Sequence, residues 1–135
     1  LDSNSPSLEK VTNDIDSLEL EVSIHSNISD METLMYNADI AIGSGGNSAW
    51  ERCVLGLPSF LTSIASNQKR NIKGITESGA ACYWGSTEDL LISLKSCNKD
   101  ITLLLSMQEK AFSLCDGLGS KRITESIMKD FTSSS

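Results

Sequence analysis

The sequence predicts an α/β protein, a Rossmann-like parallel sheet flanked by helices. Two observations carry that expectation. Short apolar runs recur at 40–42, 59–64 and 80–84, and each is followed by a segment whose apolar residues repeat at helical spacing. Glycine and proline punctuate the joints, Gly56 and Pro58 before the second run and Gly79 before the third. Strands and helices alternating at intervals of roughly twenty residues need crossover connections, which make the strands parallel and lay helices on the sheet faces.

Each element has its own signal. Residues 1–17 are polar and acidic, with Pro6 and Ser7 placed to open a short helix through Leu8, Val11 and Ile15. Leu18 to Ile24 alternates apolar and polar residues, the pattern of a strand with one wet face. Ser29 or Asp30 can cap a helix to about Asn37 that carries Met31, Leu34 and Met35. The run Ile40 to Ile42 then enters a loop with three glycines, and a helical pattern (Trp50, Val54, Leu55) follows at once. Gly56 with Leu57-Pro58 supplies the stop. Ser59 to Ile64 reads as the next strand, Ser66 or Asn67 caps a helix to about Ser78 closed by Gly79, and Ala80 to Trp84 reads as the last strand. Helical patterns follow from Ser86, over Ile101 to Cys115 and over Ser120 to Phe131.

With 135 residues and 39% apolar composition, the chain suits one domain, 1–135. Leu1 in place of methionine leads us to expect a fragment of a longer two-domain protein. A net charge of −7 disfavours general nucleic-acid binding, although a local anion site is still allowed. No apolar window suits a membrane span and no leader pattern opens the chain, so a cytoplasmic protein is expected. Cys53, Cys82, Cys97 and Cys115 lack metal-ligand spacing and read as buried free thiols. His25 is the only histidine, so a triad or an imidazole metal cluster within this chain is excluded. We expect no metal and no cofactor.

In a parallel sheet of this kind, ligands lie beyond the carboxyl ends of the strands, where Gly43, Ser44, Gly45, Gly46, Asn47 and Ser48 fall. Glycines let the backbone approach a ligand and aim N–H groups at it, and a following helix terminus would favour phosphate or diphosphate. Ser44 and Ser48 add hydroxyl donors. A glycine turn chosen only for tight geometry accounts for the same spacing equally well. The motif is neither a dinucleotide fingerprint nor a P-loop. Glu51 stands three residues after Ser48, placed either to accept from vicinal ribose hydroxyls or to close a capping box with Ser48. Trp50 reads as core or as a base-stacking platform. Asn67 and Gln68, at the end of the second run, suit a sugar's hydroxyl and acetamido groups, or Asn67 is a simple cap. Lys69 and Arg70 read as solvated.

Taken together, Ala38-Asp39-Ile40-Ala41-Ile42-Gly43-Ser44-Gly45-Gly46, Trp50-Glu51-Arg52-Cys53-Val54-Leu55-Gly56-Leu57-Pro58-Ser59 and Asn67-Gln68 resemble the UDP-sugar hydrolases of pseudaminic acid biosynthesis. That family is related to the GT-B glycosyltransferases, including the lipid II-forming type. The resemblance covers about Asn27 to Gly79 and implies the carboxyl-terminal half of a GT-B fold, the half that grips the nucleotide. It assigns Gly43 to Ser48 to the diphosphate, Glu51 to the ribose, and Asn67 and Gln68 to the sugar. The implied reaction is hydrolysis of a UDP-linked diacetamido-trideoxy-altrose for nonulosonic acid synthesis, a branch of surface polysaccharide chemistry. The family's water-activating histidine belongs to the amino-terminal half. His25 does not match it, so no catalytic residue is assigned in this chain and the chain alone is expected to be inactive. The opening departs from the family, as if the first two strands of this half were absent. Exposed sheet edges would follow, and with them pairing to the missing amino-terminal domain or a second copy. Two other functions remain open, a glycosyltransferase with the same nucleotide grip and a non-catalytic binding or assembly module.

Overall fold

Apolar runs of four residues or fewer produce the strands, and the intervening amphipathic segments produce the helices that cover them. The computed structural model describes residues 6–16 and 21–133. Along the chain lie α1 (Pro6–Asp16), α2 (Met31–Tyr36), β1 (Ala41–Ser44), α3 (Ser48–Val54) and β2 (Ser59–Thr62). A 3-10 turn (Ser66–Gln68), α4 (Lys69–Glu77), β3 (Ala81–Tyr83), α5 (Thr87–Lys99), α6 (Thr102–Leu114) and α7 (Gly119–Ser133) complete it. The chain divides into two compact units, Leu1–Leu34 and Met35–Ser135.

The first unit holds α1, closed internally by the Thr12 hydroxyl donating to the Leu8 carbonyl at 2.8 Å. Of the two expected caps for α2, Asp30 is the one used. Its carboxylate accepts from the Thr33 amide at 3.1 Å and the Thr33 hydroxyl at 2.7 Å. The strand expected over Leu18 to Ile24 is not formed at Glu21–Ile24, which has no regular structure, while residues 17–20 lie outside those described. Alternation specifies a strand only where a neighbouring strand accepts its backbone groups, and no described strand pairs with this segment.

The second unit is an α/β fold: β1, β2 and β3 make a three-stranded parallel sheet in the order β1-β2-β3. Adjacent residues of β2 point to opposite faces, and both faces are covered. On one, Leu61 packs with Ala49 and Cys53 of α3, Ile72 and Ile75 of α4 and Ala111 of α6. On the other, Phe60 is fully buried and, with Ile40, Leu94, Cys97, Ile101 and Leu104, lines a cavity of about 270 Å³. β1 and β3 each keep one edge unpaired among the described residues. Nor is any described helix long and apolar enough to cross a membrane.

Two glycines end helices as expected. At α3, Gly56 takes φ +63°, the Leu57 amide donates to the Arg52 carbonyl at 2.9 Å and the Gly56 amide to the Cys53 carbonyl at 3.0 Å. That is the Schellman arrangement, and Gly79 at φ +80° repeats it behind α4. Ser86 caps α5 by accepting from the Asp89 amide at 3.2 Å.

All four cysteines are free thiols, Cys53 and Cys97 buried. Burial, with Cys115 nearby, pushes the Cys53 thiol up to about 11 from the ordinary 9.0. Between those values the unfolded thiol has ionised and the folded one has not, so stability falls as pH rises through that window and the contribution is complete below it. Urea unfolding from pH 8 to 11 is expected to show the fall, and Cys53→Ala to flatten it. An unchanged slope would remove Cys53 as its source.

Candidate functional site

The site is built where β1 and β2 end together. The ladder runs to Ser44 opposite Thr62, so Gly43 and Ser44, expected in the loop, are the last residues of the strand. One further bond extends it, the Gly45 amide donating to the Thr62 carbonyl at 3.1 Å. The backbone then turns into α3, whose first turn is made by the Ala49 amide on the Gly46 carbonyl and the Trp50 amide on the Asn47 carbonyl, both at 3.0 Å. Between these, the amides of Gly46, Asn47 and Ser48 donate to no backbone or side-chain acceptor among the described residues.

The three glycines serve different neighbours. A Cβ on Gly43 would sit 3.0 Å from Nη1 of Arg52, and one on Gly45 would sit 2.1 Å from Cγ1 of Ile72 in α4. Protein packing therefore accounts for both, and the Gly45 amide is already committed to Thr62. Gly46 differs. A Cβ there would meet Gln68 Nε2 at 3.5 Å and Ser44 Oγ at 4.0 Å, ordinary contacts. The structure thus gathers the Ser44 hydroxyl, the Gln68 amide nitrogen and three unspent backbone amides around Gly46.

Gln68 is held by its other atom, since Oε1 accepts from the Ile64 amide at 3.1 Å. A side-chain amide fixed at its oxygen presents its two N–H donors in a defined direction. Its neighbour Asn67 is exposed within the 3-10 turn, which starts from Ala65 without a side-chain cap, so the capping role considered for Ser66 or Asn67 is not taken. Glu51 is exposed in the first turn of α3. The capping box with Ser48 does not form. Asn47 occupies the cap position in helical geometry (φ −58°, ψ −34°) with no side-chain cap bond, which makes Ser48 the first helical residue. Trp50 packs against the core cluster, as a core residue does. Lys69 and Arg70 are exposed.

Arg52 is the residue that the sequence reading passed over. It is 7% exposed, its Nη2 donates to the Ser44 carbonyl at 2.8 Å, and its Nε is buried without a partner. Its pKa is depressed by burial, with Cys53 and Glu51 pulling it back up. The signal was present, because 49, 52, 53 and 56 lie at the i, i+3, i+4, i+7 spacing of a buried helical stripe.

His25 is exposed in the irregular segment that precedes α2. Among the described residues, no group of three or more His, Cys, Asp or Glu side chains is placed to hold a metal ion. What the arrangement offers is hydrogen-bond donation to an anion, with one exposed carboxylate and two side-chain amides near the ends of the same two strands.

No family model matches the chain. The chain is similar to SpsG. That protein, the spore coat polysaccharide biosynthesis protein SpsG of Bacillus subtilis (strain 168), is 32% identical over an alignment of 106 residues that covers 75% of this chain. The alignment covers 31% of SpsG, so the chain spans about a third of the length of this curated relative.

Proposed function

We propose that this chain is the nucleotide-gripping half of an enzyme that acts on a UDP-sugar, a hydrolase serving nonulosonic acid and surface polysaccharide synthesis. The observation that carries the reading is the set of unspent amides at Gly46, Asn47 and Ser48, with Ser44 Oγ and Gln68 Nε2 beside Gly46. Consecutive backbone donors of this kind suit diphosphate oxygens. Similarity to SpsG, named for a polysaccharide pathway, favours a nucleotide-linked sugar over other anions.

In this reading the loop and the hydroxyls of Ser44 and Ser48 hold the diphosphate. Glu51 accepts from the ribose hydroxyls, and Asn67 and Gln68 face the sugar, while Gly43 and Gly45 shape the loop. Water attacks the anomeric carbon, the bond from that carbon to the diphosphate oxygen breaks, and its electron pair leaves with UDP. The proton of the water goes to a base outside this chain. Donors already fixed around the diphosphate stabilise the departing charge without reorganising.

Calorimetry with UDP tests the reading. Saturable binding is expected below millimolar ligand, and Glu51→Gln should weaken UDP about tenfold, the value of a hydrogen bond to a charged group. Deoxyuridine diphosphate, without the 2′-hydroxyl, should lose much less. Equal losses would remove Glu51 from the ribose, and no saturable heat at millimolar UDP would leave the loop as a turn in an assembly module. Product analysis on the full-length protein, free against transferred sugar, separates hydrolase from transferase.

A further inference from the structure

Arg52 is buried and makes no direct ion pair among the described residues, the exposed Glu51 next to it in the chain attracting its charge only at longer range. Side chains on a helix lean toward its amino terminus, so from the second turn of α3 the guanidinium reaches back beneath the glycine loop. It lies over Gly43 and donates to the carbonyl of Ser44, two residues before Gly46. That acceptor is neutral. The ion pairs formed among the described residues are Lys73–Glu77, Lys121–Glu125 and Arg122–Asp116, none of them with Arg52. Its Nε is sealed from water with no hydrogen-bond partner among the described residues. A buried cation without a directly paired counter-ion is costly, and an apolar side chain of similar length would fill the space at lower free energy.

We propose that the missing counter-ion is the ligand's diphosphate, so that Arg52 is a positioning residue that makes the loop selective for a multiply charged anion. The proposal rests on the reading of Gly46 to Ser48 as an anion site and adds the source of its charge preference. The loop amides supply direction, and Arg52, held under them by the Ser44 carbonyl, supplies net positive charge in a protein of formal charge −7. Its low exposure matters, since a cation shielded from water keeps more of its attraction for a nearby anion than a solvated one.

Titration of the full chain with UDP, uridine and inorganic pyrophosphate tests this in the wild type and in Arg52→Gln, Arg52→Met and Arg52→Lys, each checked for folding by circular dichroism. Arg52→Met retains the buried stem and serves if the glutamine variant does not fold. The neutral variants should weaken UDP about thirtyfold, as expected for loss of one charge at intermediate dielectric, and uridine less than threefold. Arg52→Lys should recover most of the UDP affinity, because it keeps the charge while losing the guanidinium geometry. Pyrophosphate should raise the melting temperature of the wild type and not of the neutral variants. Equal losses for UDP and uridine, or full pyrophosphate stabilisation of Arg52→Met, would overturn the proposal and reduce Arg52 to a support for β1. If pyrophosphate binds in an Arg52-dependent way and UDP binds no more tightly, the nucleotide reading falls and the anion role stands. If the wild type binds neither, both fall.

Discussion

Gly45→Ala is expected to destabilise the domain by about 2–3 kcal/mol, at the upper end of what overpacking costs. The added methyl would lie 2.1 Å from Cγ1 and 2.6 Å from Cδ1 of Ile72, far inside contact distance. Neither side can yield cheaply. Ile72 is 6% exposed and belongs to the core cluster, and Gly45 is tied to Thr62 by its amide. Relief requires α4 to move off the sheet or the loop to lift from β2, and the second route displaces Gly46 from Gln68. Urea unfolding of Gly45→Ala, Ile72→Ala and the double variant forms a cycle. The double variant should cost well under the sum of the singles, because the new methyl enters the space that the isoleucine vacates. Additive losses would show that the contact with Ile72 is not the reason for a glycine at 45. Gly46→Ala is the control: its methyl meets Gln68 Nε2 and Ser44 Oγ at ordinary distances, and stability should change by less than about 0.5 kcal/mol.

Phe60→Ala should cost about 3–5 kcal/mol, the range for removing a buried aromatic ring. Phe60 is 0% exposed at the centre of the middle strand, paired with Ile42 on one side and Cys82 on the other. It is the largest fully buried side chain, and the cavity beside it means that its neighbours do not already close around the site. Removing the ring enlarges that space, which Leu94 and Cys97 of α5 line from the other side. Stability in a domain of this size is on the order of 5–15 kcal/mol, so the variant should approach its unfolding threshold at room temperature. A shift in the urea midpoint corresponding to under about 1 kcal/mol would mean that α5 does not depend on Phe60 to seal its face of the sheet.

Much of the fold was legible because its signals are local. Gly56 and Gly79 end helices through their own left-handed conformation, and Asp30 and Ser86 start them through a bond three residues on. The alternation over Leu18 to Ile24 misled for the complementary reason, since a strand needs a partner that its own residues do not encode. The candidate site divides in the same way. Gly46 and Gln68, twenty-two positions apart in the chain, were both singled out, yet nothing local said that one faces the other. The capping box between Ser48 and Glu51 satisfied every spacing rule and lost to a helix that begins one residue earlier than the rule requires, with Asn47 at the cap and Ser48 already inside.

The amino-acid order by itself determined the α/β class, the alternation of strand and helix, and the place of the glycine loop at a strand end. Periodicity, caps and turns act over a few residues and can be read from neighbours in the chain. Tertiary structure alone decided that Gly43 and Gly45 answer to Arg52 and Ile72 while Gly46 stays open, and that Arg52 is buried without a direct ion pair among the described residues. Those outcomes depend on which helix lies over which strand, a matter of packing between segments that no local pattern encodes.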